Sequence, residues 1–177
     1  MINNILEFSK IESGKIEIKA EKFFVSEIVN ENIEQIRSLI NEKPIEIKVN
    51  LEKEYEVLTD KIKFEQIINN LLSNSAKYTN TGEIRINVTS THDKILRIEI
   101  ADTGIGISES DQKIIFEEFK QLNSNSKIKN KGSGLGLSIC KKYVDLLNGF
   151  ITLRSQLNIG TSITVSIPNI ILNENKN

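Results

Sequence analysis

Three polar side chains recur at helical spacing within one short segment of this 177-residue chain. Asn70, Asn74 and Lys77 lie four and three residues apart, so a helix would carry them on one face. A carboxamide oxygen is a suitable ligand for Mg²⁺, and a lysine ammonium neutralises phosphate charge. The same spacing also fits an ordinary solvated helix face, and the segment alone does not separate the two interpretations.

A second candidate segment begins at Asp102, which is followed by Gly104 and Gly106. Glycines at such positions allow positive φ and a close approach of the backbone to a ligand. An ionised aspartate only accepts hydrogen bonds, so Asp102 could accept one from an exocyclic amine such as that of adenine. A simple turn that ends a strand is the alternative interpretation.

A third segment places Gly132, Gly134 and Gly136 directly before a predicted helix. The first N–H groups of a helix are unpaired, and the helix dipole favours negative charge beside them. The segment therefore predicts a phosphate site. A capped helix behind a flexible loop is the alternative, although such a helix would rarely need three glycines.

Apolar periodicity predicts the helices that must position these residues. One stripe predicts a helix that Ser26 could cap, and a stronger stripe predicts a helix with Asp60 as its N-cap. A short helix is expected over residues 111–118 and a longer one over residues 133–147. The two stripes consist of Val29, Ile33, Ile36 and Ile40, and of Phe64, Ile67, Ile68, Leu71 and Leu72.

Alternating apolar residues predict strands over residues 16–19, 45–51, 84–88, 96–100, 150–155 and 163–167. Residues 91–94 are the expected turn between two of them. We predict an α+β, two-layer sandwich with a mixed, mostly antiparallel sheet and about three helices on one face. The polar residues 123–131 are expected to be a mobile loop, and residues 169–177 a disordered tail.

Composition excludes several classes of protein. The net charge of −1 gives no basic field for nucleic acid. The single cysteine, Cys140, excludes a disulfide within the chain, argues against a cysteine-based zinc site and fits a reducing compartment. No apolar run reaches the roughly 20 residues that a membrane helix needs, and the N-terminus does not have the pattern of a signal peptide. Walker A and dinucleotide-binding glycine patterns are also absent.

Five segments, in order, resemble the motifs of the ATP-binding domain of sensor histidine kinases, within the wider group of gyrase B, Hsp90 and MutL. INNLLSNSAKYT is similar to the N box, DTGIGI to the G1 box, IFEEF to the F box, GSGLGLSI to the G2 box and GTSITVSIP to the closing strand. The resemblance covers nearly the whole chain. It implies a Bergerat-type ATP-binding fold with an ATP lid over about residues 107–132.

The resemblance implies a role for each residue of the first two segments. Asn74 would be the Mg²⁺ ligand, and Asn70 would lie near the metal and the phosphates. Lys77 would reach phosphate oxygens, and Tyr78 would line the nucleotide pocket. Asp102 would bind the adenine amino group.

Further residues would complete the pocket on the same resemblance. Thr161 would assist at the adenine through water. Phe116 and Phe119 would secure the lid and dock it on a partner domain, or simply form the core of the lid. The remaining candidates shape the pocket wall (Gly104, Gly106), wrap the phosphates (Gly132, Gly134, Gly136) and anchor the hinge (Leu135, Leu137).

Two departures from the family pattern bear on function. Many family kinases carry arginine where this chain has Gln121, so a lid lysine would have to supply positive charge; of Lys127, Lys129 and Lys131 we favour Lys129. The ATP-hydrolysing relatives carry glutamate at the position of Asn70, and a neutral asparagine cannot act as that base. The chain therefore resembles a phosphoryl-transfer module more than an ATPase.

The phosphate acceptor is not expected within this chain. His92 is the only histidine, and it falls in a predicted turn without the family's acceptor context. Residues 5–18 resemble the end of the second dimerisation helix and the following strand, so we assign residues 1–14 to that helix and residues 15–168 to the catalytic domain.

The resemblance implies a histidine kinase of a two-component phosphorelay that uses ATP and Mg²⁺. Its partners would be the histidine-bearing dimerisation domain of the same protein and a response-regulator receiver domain. The fragment is expected to be monomeric and cytoplasmic, without nucleic-acid or membrane contact, and the parent homodimeric. A nucleotide-responsive interaction module without transfer, a gyrase–Hsp90-type ATPase and a serine kinase of the anti-sigma type remain alternatives.

Overall fold

The strands form two sheets, and the helices pack against them. The structure is a computed structural model, and it describes residues 6, 9–14, 16–120, 134–168 and 170–176. The elements follow one another along the chain as β1 (Ala20–Phe24), α1 (Val25–Ile40), β2 (Ile45–Leu51), β3 (Lys53–Asp60), α2 (Lys61–Tyr78), β4 (Gly82–Ser90), β5 (Ile95–Asp102), α3 (Glu109–Gln112), α4 (Gly136–Leu146), β6 (Phe150–Gln156), β7 (Gly160–Pro168) and β8 (Ile171–Lys176).

The larger sheet has five strands in the order β2-β4-β5-β7-β6. β2 and β4 are parallel because α2 lies in the crossover between them, and the other neighbours are antiparallel. Asp102 at the end of β5 is in register with Thr161 at the start of β7. The predicted α+β fold with a mixed, mostly antiparallel sheet is confirmed.

The helices cover one face of the larger sheet. Alternate residues such as Ile86, Ile100 and Val165 are buried on that face, whereas Arg85 and Arg97 point to the other side. α1 packs on α2, and α2 packs on α4, so that one core joins the helices to the sheet. None of the described helices has the length and apolar content needed to cross a bilayer.

The second sheet, β1-β3-β8, was not predicted. β3 was not predicted because charged residues surround the alternating Tyr55 and Val57, both of which are fully buried. The prediction that residues 169–177 are disordered was wrong for residues 171–176, which form β8 along β3. Backbone pairing along the open edge of β3 accounts for β8, together with the burial of Ile171.

Two predicted boundaries near the N-terminus differ from the structure. The expected strand over residues 16–19 is not a strand, because the N–H of Lys19 donates to Asp60 Oδ2 (2.8 Å) and ladder pairing begins only at Ala20. Ser26 is not a cap: α1 begins at Val25, and the N-cap position is occupied by Phe24, which makes no side-chain cap hydrogen bond. Asp60 does cap α2, since its Oδ1 accepts from Lys63 N (3.0 Å).

The later helices also begin at different residues from those predicted. The short helix spans Glu109–Gln112 rather than residues 111–118, because the hydroxyl of Ser108 caps it by accepting from Asp111 N (3.2 Å). α4 begins at Gly136. The predicted start at Ser133, residues 121–132 of the predicted lid and residues 1–5, 7 and 8 of the N-terminal helix fragment lie outside the described residues. Residues 9–12 are helical, and Ile11 packs against the core.

Candidate functional site

The polar face of α2 carries the first group of candidate residues. The apolar stripe of the helix is buried against the sheet, which leaves Asn70, Asn74 and Lys77 half-buried on a neighbouring face. Tyr78 ends the helix, and the ammonium of Lys77 lies 5.0 Å from the centre of its ring. This distance is within the range of a cation–π contact.

The packing of α2 against α4 brings the first and third sequence segments together. A Cβ atom on Gly136 would lie 3.4 Å from Asn70 Oδ1, so the amide oxygen of Asn70 faces the first residue of α4. Asn74 follows Asn70 by one turn on the same helix face. The sequence suggested both segments, and the helix packing places Asn70 beside Gly136.

Among the described residues, no side chain caps the N-terminus of α4. Leu135 occupies the N-cap position, and no acidic residue lies in the first turn. Leu135 is fully buried and Leu137 half-buried, which anchors the start of the helix in the core. The first N–H groups of α4 are therefore suited to an anion. Gly134 precedes the helix with φ +73°, whereas Gly132 and Lys129 lie outside the described residues.

Asp102 is held by hydrogen bonds at the end of β5. Its Oδ1 accepts from Gly104 N (2.9 Å), and its Oδ2 accepts from the hydroxyl of Ser75 (3.0 Å). Burial raises the pKa of the Asp102 carboxyl, and the hydrogen bonds from Gly104, Ser75 and the Thr161 backbone oppose that rise. Sequence analysis missed Ser75, although its place next to Asn74 on the buried side of α2 was a usable signal.

The two glycines after Asp102 are required by close contacts. A Cβ on Gly104 would lie 2.6 Å from Tyr78 O and 2.9 Å from Asp102 Oδ1. Gly106 has φ +66°, and a Cβ there would overlap the carbonyl oxygen of Gln156. Gly104 therefore allows the turn to approach the end of α2 closely, and Gly106 allows it to approach the β6–β7 hairpin closely.

Thr161 lies across from Asp102 and joins a hydrogen-bond cluster that sequence analysis missed. Its hydroxyl is 2.9 Å from the hydroxyl of Ser155, which accepts from Ile107 N (2.8 Å). Gln112 Nε2 donates to Ile107 O (2.8 Å) and to Ser155 O (2.9 Å). The cluster therefore fixes residues 107–112, which are the start of the predicted lid. No local sequence pattern indicated it, because its partners are far apart along the chain.

The remaining candidates occupy separate places. Phe116 is half-buried, whereas Phe119 is 59% exposed and has φ +59°, so its ring is not part of a buried core. His92 lies exposed in the turn between β4 and β5, as predicted. Cys140 is fully buried on α4, and burial raises the pKa of its thiol to about 12, so the thiol is unreactive at neutral pH.

Comparison with known proteins identifies the family. Residues 59–171 match the family described as histidine kinase-, DNA gyrase B- and HSP90-like ATPase. These residues include α2, the Asp102 turn, α4 and Thr161. The chain belongs to this family of ATP-binding ATPase domains, and the resemblance found in the sequence is confirmed.

Individual relatives agree with this assignment. The autoinducer 2 sensor kinase/phosphatase LuxQ of Vibrio cholerae is 38% identical over 173 residues, which cover 95% of this chain and 20% of LuxQ. Full-length ShkA in complex with AMPPNP shares the fold, with a TM-score of 0.87 and 24% identity over 98% of this chain and 36% of ShkA. The nucleotide-free catalytic domain of histidine kinase ThkA has a TM-score of 0.73 and 26% identity over 86% of this chain and 98% of that domain.

The chain spans about a fifth of the length of the curated relatives that it matches.

Proposed function

We propose that this chain binds Mg·ATP and transfers the γ-phosphoryl group to a histidine on a dimerisation domain outside it. The observation that carries the proposal is the position of Asn70, whose amide oxygen faces the N-terminus of α4, where no described side chain acts as a cap. An amide at this place contacts an anion site without offering a general base for water. Such a site favours transfer to a protein acceptor over hydrolysis.

The base and the phosphates of ATP would bind at opposite ends of the site. Asp102 accepts a hydrogen bond from the adenine amino group, with Thr161 assisting through water and Tyr78, Gly104 and Gly106 shaping the pocket. At the other end, Lys77 and the first N–H groups of α4 bind phosphate oxygens. The phosphate end is completed by Lys129 from the lid and by the glycine-rich segment, with Gly132, Gly134, Leu135, Gly136 and Leu137.

The donor set also fits a divalent cation. Asn74 presents a neutral amide oxygen on the face of α2 that carries Asn70, and Mg²⁺ accepts such oxygens alongside phosphate oxygens and water. The bound ion would supply neutralisation of phosphate charge. Asn74 would hold it, Asn70 would orient the neighbouring polar groups, and Lys77 would keep the phosphates in line for attack.

The parent protein would be a sensor histidine kinase of a two-component system. LuxQ is named a sensor kinase/phosphatase, and ShkA was solved in complex with AMPPNP, which supports ATP as the nucleotide. We assign residues 1–14 to the end of the dimerisation helix, residues 15–168 to the catalytic domain and residues 107–132 to the lid. A response-regulator receiver domain would take the phosphoryl group from the acceptor histidine, on the cytoplasmic side of the cell. The isolated fragment would be monomeric and the parent homodimeric.

A transfer assay tests this function. The chain is incubated with γ-labelled ATP, Mg²⁺ and a separately produced histidine-bearing helical hairpin, and acid-labile label on the hairpin is measured. The proposal predicts label that depends on both proteins and is lost in Asn74→Ala.

Nucleotide binding without label would instead support a nucleotide-responsive interaction module. Steady release of phosphate without any partner would support an ATPase. Either result would overturn the transfer reaction proposed here.

A further inference from the structure

Lys43 lies in the short connection between α1 and β2, outside all five sequence motifs. Its ammonium group donates to three main-chain oxygens at the C-terminal end of α2. The distances are 2.6 Å to Ala76 O, 2.8 Å to Thr79 O and 3.4 Å to Lys77 O. The half-buried lysine therefore reaches a helix end that is 33 to 36 residues away in the sequence.

These bonds complete the C-terminal cap of α2. The last carbonyls of a helix have no partner within the helix. Here Ser75 O accepts from Thr79 N (3.0 Å) and Tyr78 O accepts from Ile105 N (3.2 Å), and the other three oxygens accept from Lys43. Thr79 at the C-cap has extended backbone, so the lysine takes the place of the usual glycine cap. Its charge also lies at the negative end of the helix dipole.

The capped helix end contacts the Asp102 turn directly. Ile105 N is bonded to Tyr78 O, and a Cβ on Gly104 would lie 2.6 Å from Tyr78 O and 3.0 Å from Thr79 Oγ1. The position of the turn therefore depends on the main chain at the end of α2. Lys77 and Tyr78 are the last two residues of α2 and lie at the same end.

The position of Lys43 is itself fixed by its neighbours. Its N–H donates to Ile40 O (2.8 Å), and its carbonyl oxygen accepts from Ile45 N (2.8 Å). The next residue, Pro44, accepts from Gly82 N (3.1 Å) at the start of β4. Because α1, β2 and β4 hold the lysine in place, its ammonium orients the end of α2.

We propose that Lys43 is a positioning residue for nucleotide binding. Its ammonium holds the main chain of residues 76–79 so that Tyr78 and the Asp102 turn keep their geometry at the base-binding end. Its ammonium bonds to main-chain oxygens of residues 76, 77 and 79, so it acts through these residues. The inference rests on the proposed function, because it assumes that the Asp102 turn binds adenine.

Calorimetry with Mg·ADP on the 177-residue chain tests the inference at a temperature where circular dichroism shows each variant to be folded. Lys43→Met keeps an unbranched side chain that is one heavy atom shorter and removes the three donors, and we expect the Kd to rise about tenfold. Lys53→Met is the matched control, because Lys53 pairs with Glu174 (2.8 Å) on the smaller sheet. Its Kd should equal that of the wild type.

Chemical rescue separates positioning from general destabilisation. Lys43→Cys is alkylated with 2-bromoethylamine, which rebuilds an ammonium at the length of lysine, while the fully buried Cys140 is spared. We expect the Kd to return to within about twofold of wild type. If Lys43→Met does not fold, Lys43→Gln serves in its place with an expected rise of about threefold.

A folded Lys43→Met or Lys43→Gln variant with wild-type affinity would overturn the inference. So would an alkylated protein that regains its melting temperature but not its affinity. A wild-type chain that binds no nucleotide would instead contradict the proposed function, so the two failures are distinguishable.

Discussion

The two ends of the candidate site are built differently. At the base end, Asp102 is bonded to Gly104 and Ser75, and the neighbouring turn is bonded to the end of α2. At the phosphate end, no side chain in the described part of the chain caps α4, and Asn70 faces Gly136. The base end is preorganised by protein contacts, whereas the phosphate end keeps donors available for an anion. Preorganisation lowers the cost of binding, and main-chain donors at a helix N-terminus supply the specificity for negative charge.

Asp102 offers the largest expected effect. Asp102→Asn removes the charged acceptor for the adenine amine, so we expect affinity for Mg·ATP to fall by about 10- to 100-fold. The substitution should also stabilise the fold at neutral pH, because burial raises the pKa of the Asp102 carboxyl and thus disfavours its charged form. Calorimetry measures the first effect, and thermal unfolding measures the second.

The sign of the stability effect gives a pH control. A carboxyl group whose pKa is higher in the folded chain than in the unfolded chain binds more protons when folded. Its contribution to stability therefore falls as pH rises from the unfolded pKa through the folded pKa. The gain in Asp102→Asn should therefore be present at pH 7 and vanish below the ordinary pKa of aspartate. An equal gain in unfolding free energy at pH 7 and below the ordinary pKa of aspartate would contradict burial of the carboxylate as its cause.

The glycines of the two ends should respond differently to substitution by alanine. In Gly104→Ala the new methyl group would lie 2.6 Å from Tyr78 O, and we expect a loss of about 1–3 kcal/mol in unfolding free energy. In Gly136→Ala the nearest atom would be 3.4 Å away, and the better helix propensity of alanine should offset the contact. Thermal unfolding of both variants checks the contrast. Equal losses would mean that the two ends are equally tightly packed.

Ser75 should have a smaller and pH-dependent effect. Its hydroxyl opposes the rise in the pKa of Asp102, so Ser75→Ala should raise that pKa further. Nucleotide affinity should then be lost at a higher pH on acidification, with a loss of about tenfold or less near neutral pH. Titrating affinity against pH for both proteins measures the shift. If affinity is lost at the same pH in Ser75→Ala and the wild type, Ser75 does not act on Asp102.

The same contrast explains what the sequence could predict. The stripe of α2 and the Asp60 cap are local patterns, and so is the turn at Asp102; all three were found. β3 and β8 were missed because strand pairing, and not side-chain polarity, defines them. Ser75 and Lys43 were missed as site residues because their partners are 27 and 33 to 36 residues away. Hydrogen bonds over such distances leave no periodic signal.

The most direct test of the account is calorimetry of Mg·ATP binding to the wild type, Asp102→Ala and Asn74→Ala. Asp102 represents the base end, and Asn74 represents the metal and phosphate end. The account predicts micromolar-range binding by the wild type, on the order of −8 kcal/mol, and loss of binding in both variants. Unchanged affinity in both variants would contradict the proposed nucleotide site.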